Sequence, residues 1–570
     1  MQLGEGMNGA ELVLQCLKKE GVNTFFGYPG GAVIPLYDAL YDYRDEFFHI
    51  RTSHEQGLVH AADGYARSTG KTGVCITTSG PGATNAITGI ATAYMDSTPL
   101  VVICGQVPTA MLGKDSFQEI DITGIALSVT KHNYLLRSTK EIAPVIKEAF
   151  KIAQSGRKGP VLIDIPKNLF VSEIDFEPFE DEALESINKK SFEFEKEAES
   201  KLSEALDKAF KLISEARRPV IYAGGGVKAC RGEKQLREFA EKFDIPVVNT
   251  LMGLGSIDRK HELALGLMGM HGFREANFAV SRADLIVAVG TRFSDRGTGL
   301  CSAFAANAKI IHIEIDRSEL AKNIEIDVAL VGSSREVLEL LNKKGESTLL
   351  LNNHKEWKTE IHTYKQTDGV KPEEFHPKNI INLANDILDK KNQTVLVTDV
   401  GQHQMWAAQH WKFNQGRSFI TSGGLGTMGF GLGAAIGTAV GNPDKKTVLI
   451  TGDGSFKMNM NELPTLSQYN VPVLILLFNN HALGMVRQWQ KMFSNERYSE
   501  TDIGFNIDYV ELAGACKIAG ARADSLEKLR QVLESYDASK PMFIQCDINK
   551  AYDVFPIVPP NDVLENLICG

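Results

Sequence analysis

Residues 447–455 read Thr-Val-Leu-Ile-Thr-Gly-Asp-Gly-Ser, an unbroken apolar block that runs straight into a glycine turn. It lacks the alternation of a strand with one wet face, so the strand it predicts is buried on both sides and needs helices over both faces of its sheet. The same signature recurs at residues 74–78, 100–104, 161–165, 220–223, 285–290, 310–315, 395–399, 473–478 and 542–547. Amphipathic stretches between these blocks, such as 9–20 and 525–536, supply the covering helices. The fold class is therefore α/β, with doubly wound parallel sheets.

Two charged stretches interrupt the pattern, 175–203 and 342–374, and read as linkers. They divide the chain into three α/β domains, 1–175, 200–342 and 375–545, followed by a tail, 546–570. The tail carries Pro556, Pro559 and Pro560 and is expected to lie extended over a neighbour. A length of 570 residues suits three to four domains at about 150 residues each. Hydrophobic residues make up 43% and charged residues 23%, which is ordinary globular composition and leaves no large disordered share. The net charge of −10 argues against a grip on nucleic acid or an anionic membrane. Residues 418–443 are uncharged over most of their length but too rich in glycine for a membrane span. The N-terminus has no basic stretch followed by an apolar one, so a cytoplasmic location is expected. Eight scattered cysteines (Cys16, Cys75, Cys104, Cys230, Cys301, Cys516, Cys546, Cys569) form no C-x-x-C pair and read as core thiols in a reducing compartment.

The glycine turns carry the chemistry. Gly452-Asp453-Gly454 is followed, after 24 residues, by Asn479-Asn480 at the end of the next apolar block. An Asp between glycines is also a common turn or helix-cap residue. The spacing adds a carboxamide at one strand end to a carboxylate at its neighbour, two hard oxygen ligands of the kind Mg²⁺ needs to bridge a diphosphate. Upstream, Glu55 in His54-Glu55-Gln56-Gly57 opens a helix, where an acid is also favoured simply by the helix dipole. A second strand-to-helix loop, Thr78-Ser79-Gly80-Pro81-Gly82-Ala83-Thr84-Asn85, lies in the same domain.

The G-D-G to N-N pairing resembles the thiamine diphosphate motif. Further stretches are similar to one family that uses this cofactor: Phe26-Gly27-Tyr28-Pro29-Gly30-Gly31-Ala32, Ala61-Ala62-Asp63-Gly64-Tyr65-Ala66-Arg67, Gln402-His403-Gln404-Met405-Trp406 and Gly484-Met485-Val486-Arg487-Gln488-Trp489-Gln490. They resemble the catalytic subunits of the acetohydroxyacid synthase (acetolactate synthase) family, over residues 8–560. The resemblance implies three sheets of the thiamine diphosphate-enzyme type and cofactors thiamine diphosphate, Mg²⁺ and FAD. It implies that Asp453, Asn480 and the Ala482 carbonyl hold the metal, and that Glu55 serves the pyrimidine ring of the cofactor. Gly401, Gln402, His403, Gly454 and Ser455 would meet the diphosphate, and Met428 and Met485 the body of the cofactor. Gly31, Phe117, Gln118 and Lys167 would line the reaction centre and its channel, with Arg296, Trp489 and Met485 at the acceptor substrate.

In the middle domain the resemblance implies that FAD meets Gly224, Gly225, Gly226, Thr250, Leu251, Met252, His271, Gly290, Glu314 and Asp316, with Arg157 and Arg292 near its phosphates. A glycine triplet after a strand also serves simply to pack a helix close to a sheet. Two positions depart from the family pattern: Gly433, where proline is usual, and Ser333, where Asp is usual. The implied substrates are pyruvate and 2-oxobutyrate, in valine, leucine and isoleucine biosynthesis. The implied assembly is a homodimer or tetramer with sites at the dimer interface, together with a small regulatory subunit. Two rival readings are a pyruvate oxidase-like flavoenzyme and a non-catalytic flavin-binding protein.

Overall fold

The computed structural model describes residues 6–177, 188–346, 354–365, 369–391, 393–504 and 507–570. Within them lie three six-stranded sheets. The first holds β1 (Thr24–Gly27), β2 (Phe48–Arg51), β3 (Gly73–Thr77), β4 (Leu100–Gln106), β5 (His132–Leu135) and β6 (Pro160–Pro166), in the order β2-β1-β3-β4-β6-β5. The second holds β7 (Pro219–Ala223), β8 (Val247–Asn249), β9 (Ala264–Leu267), β10 (Leu285–Val289), β11 (Lys309–Glu314) and β12 (Val328–Val331), in the order β12-β11-β10-β7-β8-β9. The third holds β13 (Thr394–Thr398), β14 (Phe419–Ile420), β15 (Lys446–Gly452), β16 (Val473–Asn479), β17 (Ala519–Ala523) and β18 (Met542–Asp547), in the order β14-β13-β15-β16-β18-β17. Every pairing among these strands is parallel, as the continuous apolar blocks require.

All ten apolar blocks are strands, and the eight remaining strands carry weaker signals. β2, β5 and β17 are edge strands with mostly exposed or half-buried residues, and β14 is two residues long. Each pair of neighbouring strands in a parallel sheet needs a crossover, so most gaps between blocks contain a helix.

The first and third sheets are joined through two helices, Glu55–Thr69 and Phe430–Gly441, whose backbones meet closely where glycines leave out side chains. A Cβ on Gly64 would fall on the Ala434 carbonyl, and one on Gly437 on the Ala61 carbonyl. At Gly433, a Cβ would stand 2.7 Å from the Gly57 oxygen, which gives the unexpected glycine its reason.

Two expectations need correction, and the tail's neighbour can be named. Cys16, Cys75, Cys104 and Cys546 are buried, but Cys230 and Cys516 are half-buried and Cys301 and Cys569 are exposed, so the thiols are not all core residues. The stretch 342–374 is no bare linker. Its helix Lys355–Thr363 buries Trp357 and Ile361, and the Trp357 indole donates to the Pro219 carbonyl at 3.1 Å. The tail lies over the chain's own middle sheet, where the Val558 amide donates to the Met270 carbonyl at 2.8 Å and the Leu300 amide to the Asp562 carbonyl at 3.0 Å. Of the stretch 175–203, residues 178–187 lie outside the described residues, and a helix, Asn188–Glu215, follows them. Among the described residues, no helix is long and apolar enough to cross a membrane.

Candidate functional site

The third sheet reverses its winding between β13 and β15, and the ends of these strands open into a cleft, the place where open α/β sheets take ligands. The cleft is lined from β13 by Gly401, Gln402 and His403, from β15 by Asp453, Gly454 and Ser455, and beyond β16 by Asn480, Ala482 and Met485, with Met428 on one wall. Asp453 is the first residue of the helix Asp453–Lys457 and is buried; burial pushes its carboxyl up to about 6. An ionised carboxylate is costly there unless a cation joins it.

Asn480 stands beside it at the end of the paired strand β16. Its Oδ1 accepts the Ala482 amide at 3.1 Å. The bridge between Ala482 and Asp502 is closed by Leu483 N–H to the Thr501 carbonyl and Ile503 N–H to the His481 carbonyl, so neither bond uses the Ala482 carbonyl. Among the described residues no cluster of three His, Cys, Asp or Glu could hold a metal by itself. One carboxylate, one carboxamide and one carbonyl make a partial hard-oxygen set, to be completed by oxygens of the ligand it serves.

The cleft is also shaped for a phosphate-bearing ligand. His403 is buried, burial holds its imidazole neutral, and its Nε2 has no partner. Gly401 and Gly452 make room for the ring, since a Cβ would stand 2.9 Å from it at the first and 2.7 Å at the second. A Cβ on Gly454 would meet Leu483 at 2.7 Å. The Ser455 hydroxyl is spent on the Val400 carbonyl at 2.6 Å. The orphaned imidazole nitrogen, the glycine-cleared floor and the oxygen donors fit a metal-bridged diphosphate.

The predicted N-terminal residues gather at the C-terminal edge of the first sheet: Gly31 after β1, Glu55 after β2, Phe117 and Gln118 after β4, and Lys167 directly after β6. Gln118 lies against Gly80 of the loop after β3, with its Cα 3.0 Å from where a Cβ on Gly80 would be. Glu55 Oε2 accepts the Asn85 side-chain amide at 3.0 Å, while Oε1 faces Gly82, where an added Cβ would lie 3.2 Å away. Phe117 is 88% exposed, and a Cβ on Gly31 would meet nothing within 4 Å. None of these residues lines the cleft around Asp453.

Sequence reasoning missed the residues that hold these loops. Glu462 is fully buried and accepts the amides of Ser53 and His54, fixing the turn before Glu55 from the third domain. Asp399 is buried, pushed up to about 6 by burial, and accepts the amides of Val400 and Gly429. Neither stands in a recognisable motif.

In the middle sheet, Gly224 and Gly226 answer a packing need. A Cβ on Gly226 would stand 2.6 Å from the Cα of Gly290, which itself has φ +57°, and one on Gly224 would fall on the Gly290 carbonyl. Thr250, Leu251 and Met252 follow β8, with Met252 3.2 Å from a Cβ on Gly225. Glu314 ends β11 and accepts the amides of Ile315 and Asp316 at 2.9 and 3.1 Å. Arg157 pairs with Glu319 at 2.8 Å and Asp316 at 3.6 Å. Burial lowers the Arg292 guanidinium, and the nearby Arg157 lowers it further. Arg157 is already neutralised by Glu319 and Asp316, which leaves Arg292, without an ion pair among the described residues, and the buried His271, whose Nδ1 has no partner, as the groups at this edge that fit the phosphates of a dinucleotide. Arg296 and Trp489 come from different domains, and the Arg296 guanidinium lies 5.5 Å from the centre of the indole.

Three family models match the chain in order. The N-terminal TPP binding domain of thiamine pyrophosphate enzymes covers residues 7–125, their central domain 206–341, and their C-terminal TPP binding domain 399–546. The chain is 44% identical to a probable acetolactate synthase large subunit of Methanocaldococcus jannaschii, over 99% of this chain and 95% of the relative. It is 43% identical to the acetolactate synthase isozyme 2 large subunit of Escherichia coli, over 98% of this chain and 100% of the relative. With the acetolactate synthase large subunit of Lactococcus lactis the identity is 41%, over 98% and 96%.

Proposed function

The chain belongs to the acetolactate synthase large-subunit family of thiamine pyrophosphate enzymes, and from that premise we propose that it joins two pyruvates, with loss of CO₂, into 2-acetolactate. With 2-oxobutyrate as acceptor the product is 2-aceto-2-hydroxybutyrate, so the enzyme opens valine, leucine and isoleucine synthesis. The observation that carries this reading is the pairing of Asp453 and Asn480 at adjacent strand ends, inside a match that spans nearly the whole chain.

Thiamine diphosphate, when bound, supplies the carbon nucleophile and electron sink that a 2-oxo acid needs to lose CO₂. Asp453, Asn480 and the Ala482 carbonyl would hold Mg²⁺. His403 and the amides near Gly401, Gly454 and Ser455 would hold the diphosphate, with Gln402 kept in place by Gln488 at 3.0 Å. Glu55 would hold and return a proton at Oε1, because Oε2 is engaged by Asn85. Met428 and Met485 would press on the cofactor, while Arg296 and Trp489 would meet the carboxylate and alkyl group of the acceptor. Gly31, Phe117, Gln118 and Lys167 would border the reacting carbons.

In this reading residues 1–175 bind the pyrimidine, 200–342 bind FAD, and 375–545 bind the diphosphate and Mg²⁺, with the tail 546–570 closing over the middle sheet. FAD would be held by Arg157, Arg292, His271, Glu314, Asp316 and the loops at Gly224–Gly226, Thr250–Met252 and Gly290, and it undergoes no net redox change. The separation of Glu55 and its neighbours from the Asp453 cleft supports a homo-oligomer in which a second copy completes each site. The relatives are named large subunits, which supports a small regulatory partner. All eight cysteines are free, in keeping with a reducing cytoplasm.

The test is formation of CO₂ and acetolactate from pyruvate, with and without thiamine diphosphate, Mg²⁺ and FAD, alongside the flavin absorbance of the purified protein. Acetolactate dependent on thiamine diphosphate is expected. Peroxide or acetyl phosphate in its place would point to an oxidase, and no CO₂ at all to a non-catalytic flavin protein.

A further inference from the structure

Where the three domains meet, four cations gather around a single acid, Glu233, with Arg231 at the solvent edge of the group. Lys158 comes from the loop before β6, Lys228 and Arg231 from the segment after β7, and Arg417 from the loop before β14. An ideal Cβ on Gly70 would stand 3.2 Å from Arg417 Nη2 and 3.3 Å from Arg231 Nη2, so both guanidinium groups reach one point from different domains. Arg417 Nη1 donates to the Arg67 carbonyl at 2.9 Å, but its Nε is buried and without a partner. Lys228 is 9% exposed and donates only to the Leu254 carbonyl, at 3.1 Å. Burial lowers the Lys158 ammonium, and Arg417 and Arg231 lower it further.

Among the described residues, none of the four closes an ion pair within 4 Å. The acids nearby offset at most one of these four charges. Asp63 and Asp96 are held by Arg67, and Asp96 also accepts the amides of Gly423 and Gly424, which leaves the half-buried Glu233, its carboxyl against Gly416, as the one acid facing Arg417, Lys228 and Arg231. Cations packed this closely repel one another, and an anion with several oxygens would satisfy them by charge-assisted hydrogen bonds.

We propose that this junction binds a small oxyanion, orthophosphate or the phosphate group of a phosphomonoester, held by Arg231 and Arg417 with the charge of Lys158 adding to the pull, and tying the domains together. The inference does not depend on the reading of the catalytic cleft. It is tested on the cofactor-saturated enzyme, so that the cofactors' own phosphate sites are filled. Thermal unfolding is followed with orthophosphate against chloride at equal ionic strength, and binding by calorimetry, for the native chain and for Lys158→Gln and Arg231→Gln. Orthophosphate should raise the melting temperature of the native chain, and each variant should bind it at least about tenfold more weakly. In phosphate-free buffer each variant should be more stable than the native chain, since it loses repulsion. Glycerol 3-phosphate, run in parallel, distinguishes the sources: binding of both ligands assigns a phosphomonoester site, and binding of orthophosphate alone a free-ion site. An equal phosphate response in all three proteins, or a loss of stability by both variants in phosphate-free buffer, would overturn the proposal.

Discussion

Glu55 has one carboxyl oxygen bound to Asn85 and the other facing the space that Gly82 leaves open. Glu55→Gln can keep the first contact but has no proton to trade, so turnover should fall by ~10²–10⁴ while metal and cofactor affinity stay near normal. Steady-state rates set beside a cofactor titration check this, and near-normal turnover would remove Glu55 from the chemistry. Trp489 stacks on Arg296, and in the proposed acceptor site its apolar face would weigh one extra methylene. Such a contact is worth roughly 10–200-fold in selectivity. Trp489→Leu should therefore lower the preference for 2-oxobutyrate by about that order and leave pyruvate turnover largely intact. The measurement is a competition between both acceptors with both products quantified, and an unchanged ratio contradicts the assignment. These two positions could be singled out in the sequence because Glu55 opens the helix after β2 and Trp489 lies in the helix that follows β16. Glu462 could not, because its work on Ser53 and His54 is done across some four hundred residues of chain, which no local pattern records.

Strands and helices carry their own tests. Asp164 lies inside β6, where Oδ2 accepts the Gln106 side-chain amide at 2.9 Å and Oδ1 is buried without a partner. Burial pushes this carboxyl up from 3.8 to about 7. Between those values the folded chain holds a proton that the unfolded chain releases, so this group's stabilising contribution is present below the lower value and is lost as pH rises through about 7. Asp164→Asn should flatten that slope and stabilise the protein at about pH 8 by on the order of 2–4 kcal/mol. Thermal unfolding at about pH 6 and about pH 8 decides it, and a native-like slope in the variant would show the carboxyl ionised throughout. At the crossing of Glu55–Thr69 with Phe430–Gly441, Gly437→Ala pushes a methyl group into backbone that cannot yield, a cost of about 1–3 kcal/mol or more. Gly514→Ala, in a helix with nothing within 4 Å of the new carbon, should instead stabilise by ~0.5–1 kcal/mol. Equal effects at the two sites would mean the helices are not in contact. The ten apolar blocks announced their strands because both faces are buried, whereas β2, β5 and β17 lie at sheet edges where half the pattern is spent on solvent. The helix Lys355–Thr363 hid behind its charges, since only Trp357 and Ile361 turn inward.

For the whole molecule, the separation of the Glu55 edge from the Asp453 cleft predicts complementation between two inactive variants. Glu55→Gln and Asp453→Ala chains, mixed after dissociation and reassembled, should regain about a quarter of native activity, because half of the dimers are mixed and each of those has one intact site. Each variant alone stays inactive. No recovery on mixing would place both residues in one site of one chain. The division into three sheets could be read from the spacing of apolar blocks, but how the sheets seat on one another could not, because that rests on backbone contacts between glycine-bearing helices. The C-terminal tail adds a consequence for how the molecule is made. The Val554 backbone exchanges hydrogen bonds with the Gln488 side chain beside the cleft, and Val558 and Asp562 bond to loops of the middle domain, so residues translated after all three sheets seal contacts among regions synthesised much earlier. Domains fold in order as they leave the ribosome. The nascent chain can therefore build all three sheets before its clasp emerges, leaving that short interval as the time when a protease or chaperone finds the cleft edge open.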